Sequence, residues 1–493
     1  MAMATSRIAL LFLTGLACTA TAQDAVRFHA DHVLGTSCDL AVMASPPDAA
    51  TFRDAVLHEV ERLERILSAW REDSQVAALN RGETVTGAAP ELMDLLERAE
   101  AWQATTRGAF DARLGSVASC WRDAAKAGRE PEGKLLASRL AASRASAAHV
   151  DRKKQVVWPE GDLHLALDGI GKGFILDRAL QAARKAVPAA KGALLDIGGD
   201  EAGFGKGPGG KPWRIGIADP RRPADNALPM LTISLEDRCC ATSGGYARGF
   251  EIRGVHHSHI LDPGTGRPAM AVLQATVVAA DAATADALAT ALCVLDPAEG
   301  LELVGSLAGV DCIVVDAAGR RHVSPGIATL QPEEPTAATA AGGFPDNFEL
   351  RVELELPRIA ARYKRPYTAI WVEDTGGLHV CTLALWGRNR RWISELTGWW
   401  RAAGSAADNV DAVARASRGA GSYTVTWGGR DEQGKAMGPG EYVVVVEVSR
   451  EHGGHTTVRQ KVRCGSTAAK WQLAANKELA SCTVSYGPGS GDR

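Results

Sequence analysis

Asp168-Gly169-Ile170-Gly171-Lys172-Gly173 runs directly into the helical pattern Phe174–Ala186, and this junction decides how the first part of the chain is read. Three glycines and a lysine stand just ahead of a helix. Exposed N–H groups at a helix start favour an anion such as phosphate. The spacing is neither the GxxxxGK[ST] of a Walker loop nor the GxGxxG of a dinucleotide-binding sheet. The plain alternative is a turn that starts a helix and carries a solvated lysine.

Outward from this junction the pattern is mixed. Between Pro47 and Trp70, Phe52, Val56, Val60, Leu63 and Leu67 recur every three or four positions, which predicts an amphipathic helix. Pro90 to Thr105 reads as another. Short β-like runs alternate with helical ones up to about Gly326. Residues 331–344 are rich in Pro, Glu, Thr and Ala without periodicity and read as a linker. Beyond it Phe348, Leu350, Val352, Leu354 and Leu356 alternate with charged residues, as in a half-buried strand. Tyr367–Asp374, Leu378–Trp386, Tyr423–Trp427, Tyr442–Val448 and Thr456–Arg463 are further strand candidates between Gly-rich turns. The expected fold class is α+β over residues 23–330, followed by an all-β sandwich-like domain over 345–493.

The chain has 493 residues, enough for two or three domains that need no covalent staples. Lys and Arg number 55 against 58 Asp and Glu, a net charge of −3, which argues against a nucleic-acid partner. At 46% hydrophobic and 23% charged, the composition is that of a globular chain.

Arg7 precedes an apolar run from Ile8 to Ala17, too short to span a bilayer, and Ala20-Thr21-Ala22 supplies small residues for cleavage. Residues 1–22 therefore read as a signal peptide and the chain as periplasmic. Leu16-Ala17-Cys18 offers the alternative of a membrane-anchored lipoprotein through Cys18. Cleavage after Ala22 leaves nine of the ten cysteines, so one stays without an intrachain partner. Cys293 and Cys312 lie in apolar runs and read as buried thiols, whereas Cys464 and Cys482 could close the C-terminal tail.

Two further motifs can carry chemistry. His256-His257-Ser258-His259 leads into Ile260-Leu261-Asp262-Pro263-Gly264-Thr265-Gly266. Histidines at this spacing serve as acid–base groups or metal ligands, or they belong to a strand ending in a turn capped by Asp262. Asp286 and Thr290 are four apart on a helical pattern and project from one face. A carboxylate and a hydroxyl there can hold Mg²⁺, which takes few protein ligands beside phosphates. The plain alternative is a helix start whose Thr bonds back to the preceding turn.

In this order, Gly35-Thr36, Ser74 to Asn80, Gly108-Ala109-Phe110-Asp111, Gly169 to Gly173, Asp196-Ile197-Gly198-Gly199-Asp200, Ala241 to Tyr246, His259 to Gly266 and Ala285 to Thr290 resemble the ApbE family of Mg²⁺-dependent FAD:protein FMN transferases. The resemblance covers residues of about 30–326 and implies a T-fold-like flavin transferase domain. Its reaction moves FMN from FAD onto a Ser or Thr hydroxyl of an exported acceptor protein and releases AMP. It implies flavin binding at Leu34, Trp70, Ala109, Phe110, Asp111, Lys172 and Ile260. It implies Mg²⁺ at Gly169, Asp286 and Thr290, and His259 as the catalytic group with Asp262 as a second candidate base. Leu34 stands where the family has Met, Trp70 where an aromatic residue is usual, and Ala166 and Gly245 where Asp is common. The residues beyond 345 resemble an uncharacterised exported domain found beside such modules and Ig-like bacterial sandwiches. Loss of acceptor transfer, leaving an exported FAD-binding or FAD-hydrolysing protein, is the alternative function. A scaffold role in redox-chain assembly is a third.

Overall fold

The computed structural model describes residues 25–221, 229–245, 248–332, 344–345, 348–358, 365–387, 393, 395–403, 414–415, 418–432, 434–450 and 454–489. The signal-peptide and Cys18 expectations, Tyr246 and most of the expected linker lie outside these residues.

The first region is built on one antiparallel sheet with strand order β1-β2-β6-β7-β10-β13-β14-β15. These strands are β1 Val26–Val33, β2 Thr36–Val42, β6 Gly192–Ile197, β7 Asp200–Gly205, β10 Cys239–Gly244, β13 Val272–Ala279, β14 Asp311–Asp316 and β15 Arg321–Val323. A small sheet pairs β3 Val85–Thr86 and β4 Ala147–Asp151 with β5 Val156–Glu160. Two ribbons complete the strands: β8 Trp213–Ile217 with β9 Leu231–Leu235, and β11 Gly249–Ile252 with β12 Val255–Ser258. The helices are α1 Pro46–Leu67, α2 Gln75–Asn80, α3 Pro90–Thr105, α4 Gly115–Ala127, α5 Gly133–Arg144, α6 Gly171–Ala186, α7 Ala282–Leu292, α8 Pro297–Gly305 and α9 Ile327–Leu330.

Helix α1 shows how sequence makes this layer. Ser45 caps it by accepting from the Asp48 N–H, Pro46 fits the first turn, and the stripe Phe52, Val56, Val60, Leu63 and Leu67 is buried. Each such side chain contributes about 1.5–3 kcal/mol on burial. The stripe packs into a core shared with Leu40, Val42, Leu195 and Ile197 of the sheet and with Phe174 and Leu176 of α6. The opposite sheet face meets the β8–β9 ribbon and α9 through Trp213, Ile215, Ile233 and Ile327. Cys239 and Cys240, though adjacent, enter these two different cores.

The second region pairs two sheets over one core. Their orders are β20-β16-β24-β23 and β19-β18-β17-β21-β22. The strands are β16 Phe348–Leu356, β17 Tyr367–Asp374, β18 His379–Trp386, β19 Ala414–Arg415, β20 Gly421–Trp427, β21 Gly440–Ser449, β22 His455–Cys464, β23 Ala469–Leu473 and β24 Ser481–Pro488. Leu350, Val352 and Leu354 from one sheet meet Val372, Val444 and Val446 from the other. This makes a β-sandwich. The outer face of the β17–β18–β21 sheet is covered as well. Trp399 of α10, Thr397–Ala402, packs there with Trp371 and Val445. Glu447 accepts from the Gly398 and Trp399 N–H groups and so fixes the start of that helix. The expected Cys464–Cys482 closure is not formed. All nine described cysteines are free, and these two are buried in the sandwich core, where they act as small apolar groups.

Candidate functional site

The site grows from a backbone contact between two helices. A Cβ on Gly173 would lie 2.2 Å from the Ala282 carbonyl oxygen, so only glycine lets α6 cross the start of α7 this closely. Asp177, one turn further along α6, accepts from the Ala282 and Ala283 N–H groups at 2.8 and 3.1 Å and anchors that start. The crossing lays Asp286 against α6, where its Oδ2 accepts from the Gly173 N–H at 3.1 Å. Thr290 follows one turn later. A Cβ on Gly169 would come within 2.9 Å of the Thr290 hydroxyl, so the Gly169 backbone lies directly against it. Ser243 of β10 joins them, its Oγ 3.3 Å from that hydroxyl.

Lys172 is not the solvated lysine of the plain sequence alternative. It forms a half-buried ion pair with the buried Asp200, the first residue of β7, after a turn in which Gly198 and Gly199 have φ of +66° and +91°. Burial acts to lower the Lys172 pKa, but the charges of Asp286 and Asp200 carry it up to about 12. Burial pushes Asp286, 2% exposed, up to about 7, with the charge of Asp200 adding to the effect and Lys172 opposing it. Burial likewise raises Asp200, against Lys172. Loss of water is thus the main cause for both carboxylates, and the one Lys172 charge opposes it at each. Among the described residues no three His, Cys, Asp or Glu side chains gather as a metal site. The donors here are a carboxylate, two hydroxyls and nearby backbone, a hard oxygen set that suits Mg²⁺.

The histidine motif separates into different tasks. His259 Nδ1 donates to the Arg248 carbonyl at 3.1 Å, which leaves Nε2 with its lone pair. Its ring is reachable by solvent. Surrounding protein still strips enough water to lower its pKa, and the Arg248 charge lowers it further, while the carbonyl bond opposes. Asp168 and Lys172 act on the same imidazole, so His259 shares the field of the Lys172 group. His257 instead rests on Trp121 with centroids 5.4 Å apart, and His256 bonds Gly245 and Glu251. Asp262 spends its oxygens inside its own turn, accepting from the Gly264 N–H and the Thr265 hydroxyl at 2.7 Å each. These bonds make it the cap of that turn.

The remaining expected flavin residues are spread more widely. Leu34 opens the β1–β2 hairpin turn with φ of +50°. Trp70 is 69% exposed, with the Arg122 guanidinium 5.1 Å from its ring centre. Ala109, Phe110 and Ile260 are buried in the apolar cores. Asp111 is paired with Arg113 and accepts from Gln103. Gly169, Lys172, Asp286 and Thr290 are brought together, with His259 in their field. Sequence reasoning gave no role to Asp200, Ser243 or Arg248, and read His256 only as one of a histidine cluster. Asp200 and Ser243 sat in quoted motifs, but nothing local showed that they would face Lys172 and Thr290.

The ApbE family model matches residues 34–314, and a model described as "Predicted periplasmic protein (DUF2271)" matches residues 349–481. A FAD:protein FMN transferase of Treponema pallidum is 33% identical over 322 residues, covering 60% of this chain and 86% of the relative. One from Haemophilus influenzae is 29% identical over 259 residues, covering 51% of this chain and 73% of the relative. The crystal structure of the ApbE protein from Thermotoga maritima superposes with a TM-score of 0.57 at 30% identity, over 63% of this chain and 100% of that one. The apo flavinyl transferase ApbE of Pseudomonas stutzeri, at 23% identity and a TM-score of 0.53 over 63% of this chain and 99% of its own, shares the fold. With the family model spanning more than half of its length, this chain belongs to the ApbE family.

Proposed function

We propose that this chain is an exported, Mg²⁺-dependent FAD:protein FMN transferase that attaches FMN to a Ser or Thr hydroxyl of an exported redox protein and releases AMP. The names of the T. pallidum and H. influenzae relatives support the activity. The description of the C-terminal match supports a periplasmic site of action, and among the described residues no helix is long and apolar enough to cross a membrane. The single observation that carries the chemistry is the buried Asp286 carboxylate, which accepts from the Gly173 N–H on the helix that also brings Thr290 against the Gly169 backbone.

Asp286, Thr290 and Gly169 would hold Mg²⁺, whose charge would offset that of the FAD pyrophosphate. Lys172 and Arg248 add positive charge around the same phosphates. Leu34, Trp70, Ala109, Phe110, Asp111 and Ile260 are proposed to seat the flavin. Phosphoryl transfer asks mainly for alignment and charge neutralisation. The acceptor hydroxyl attacks the phosphorus on the FMN side, a new P–O bond forms, the bond to the AMP phosphate breaks, and AMP leaves. His259 takes the hydroxyl proton at Nε2. Its lowered pKa keeps it neutral, and so able to accept, at pH 7.

The test is incubation of the chain with FAD, Mg²⁺ and candidate exported redox proteins. Flavin fluorescence that stays on the denatured acceptor supports transfer. Free FMN and AMP without labelling would support FAD hydrolysis instead.

A further inference from the structure

Gly245 and Arg248, between β10 and β11, are each held by a histidine from the chain that follows. The Gly245 carbonyl accepts from His256 Nε2 at 2.6 Å, and the Arg248 carbonyl accepts from His259 Nδ1 at 3.1 Å. A Cβ on Gly245 would stand 2.4 Å from Ser258 Oγ and 2.6 Å from Ser258 Cβ, so position 245 offers only its backbone to this contact.

His256 is itself held on both sides. Its Nδ1 lies 2.7 Å from Glu251 Oε1, across the β11–β12 pair. A carbonyl and a carboxylate only accept hydrogen bonds, so both ring nitrogens carry a proton and His256 is an imidazolium. The groups facing it agree: the Gly245 carbonyl first, then Glu251 and the Arg248 backbone, raise its pKa. The ring also lies against Gly249, where a Cβ would come within 2.7 Å of Cε1 and Nε2. It has no room to swing toward that strand.

The geometry points to His256 as a positioning residue that holds Gly245 by its carbonyl and lies against Gly249, the neighbour of Arg248, whose carbonyl holds His259 with Nδ1 protonated and Nε2 open to a proton. His256 touches no reacting atom. It acts through the Arg248–Gly249 backbone on His259, and its kinetic consequence rests on the transferase activity proposed above.

The test compares full-length chains carrying His256→Leu, His256→Ala and His256→Gln. Leu and Ala remove both donors, whereas the Gln amide can still donate to the Gly245 carbonyl. The two donorless variants should lose about tenfold or more in kcat for FMN transfer while KM for FAD moves less than about threefold, and Gln should recover most of the loss. Nitrogen-15 NMR of histidine-labelled chain without FAD should show His259 in the Nδ1–H tautomer in the wild type and in His256→Gln, and a mixture in the donorless variants. Wild-type kcat in either donorless variant, or an unchanged His259 tautomer, would overturn the clamp. So would parallel losses of kcat and FAD affinity that Gln fails to rescue. If the wild type transfers no FMN yet shows the tautomer shift on substitution, the transferase proposal fails and the clamp stands.

Discussion

Gly173 and Ala282 meet backbone to backbone, and that contact sets where Lys172 and Asp286 stand. A methyl group on Gly173 would sit 2.2 Å from a carbonyl that belongs to the start of another helix. Neither helix can shift without moving a site residue. Gly173→Ala should destabilise the chain by about 1–3 kcal/mol and depress FMN transfer further, because forcing the helices apart pulls the residue-173 N–H away from Asp286. Gly133, at the start of α5 with nothing near its Cβ position, is the control. Gly133→Ala should change stability by no more than about 0.5 kcal/mol. Thermal melts of the two variants check this.

Asp286→Ala would remove the anionic ligand of the proposed Mg²⁺ and leave Lys172 with Asp200 as its pair. Transfer should fall about a hundredfold or more, with partial rescue by excess Mg²⁺. Thr290→Ala, which deletes a neutral donor, should be milder. Chelation by EDTA should stop the wild-type reaction, and added Mg²⁺ should restore it. Turnover by a folded Asp286→Ala chain at the wild-type rate would remove Asp286 from the site.

The pH dependence follows from His259. Its folded pKa lies below the ordinary imidazole value, so it releases its proton earlier than a free histidine as pH rises. The rate should climb with pH, and its half-maximal point should lie below the ordinary imidazole value. His259→Asn should abolish that acid limb and cut kcat more than FAD affinity. The same depression means that acid favours the unfolded chain. Stability from this group is present above about 6.5 and is lost as pH falls toward the folded value. A pH–rate profile of both chains, with melts alongside, separates the two effects.

Local periodicity made much of the fold legible. Phe52, Val56, Val60, Leu63 and Leu67 all face the core of α1, and the alternation from Phe348 to Leu356 is β16. Strands β23 and β24 escaped notice because their solvent faces carry polar residues and their apolar positions are few. Within the candidate site, spacing could pair only residues of one segment, as with Asp286 and Thr290 on α7. The Lys172–Asp200 pair spans 28 residues and the Gly173–Asp286 bond 113, and no spacing rule connects positions so far apart. Asp262 belongs to an Asp-Pro-Gly turn signal, and its carboxylate is bonded within the turn it starts, as the turn-cap alternative expected.

The β-sandwich has its own core, with Leu350, Val352, Val372 and Val444 at its centre. We expect residues 23–330 to fold and bind FAD without it, and residues 345–493 to serve acceptor docking or stability. Expression of 23–330 should give a soluble chain that releases AMP from FAD and labels a physiological acceptor less well than the whole. An insoluble fragment, or one that binds no FAD, would mean that the two regions share a core.

The most direct measurement is the mass of an exported redox protein after incubation with the full chain, FAD and Mg²⁺. The account predicts a single Ser or Thr carrying FMN through a phosphodiester, one AMP released per label, and no labelling with Asp286→Ala. FAD consumed to free FMN and AMP with every tested acceptor unmodified, or labelling undiminished in Asp286→Ala, would contradict it.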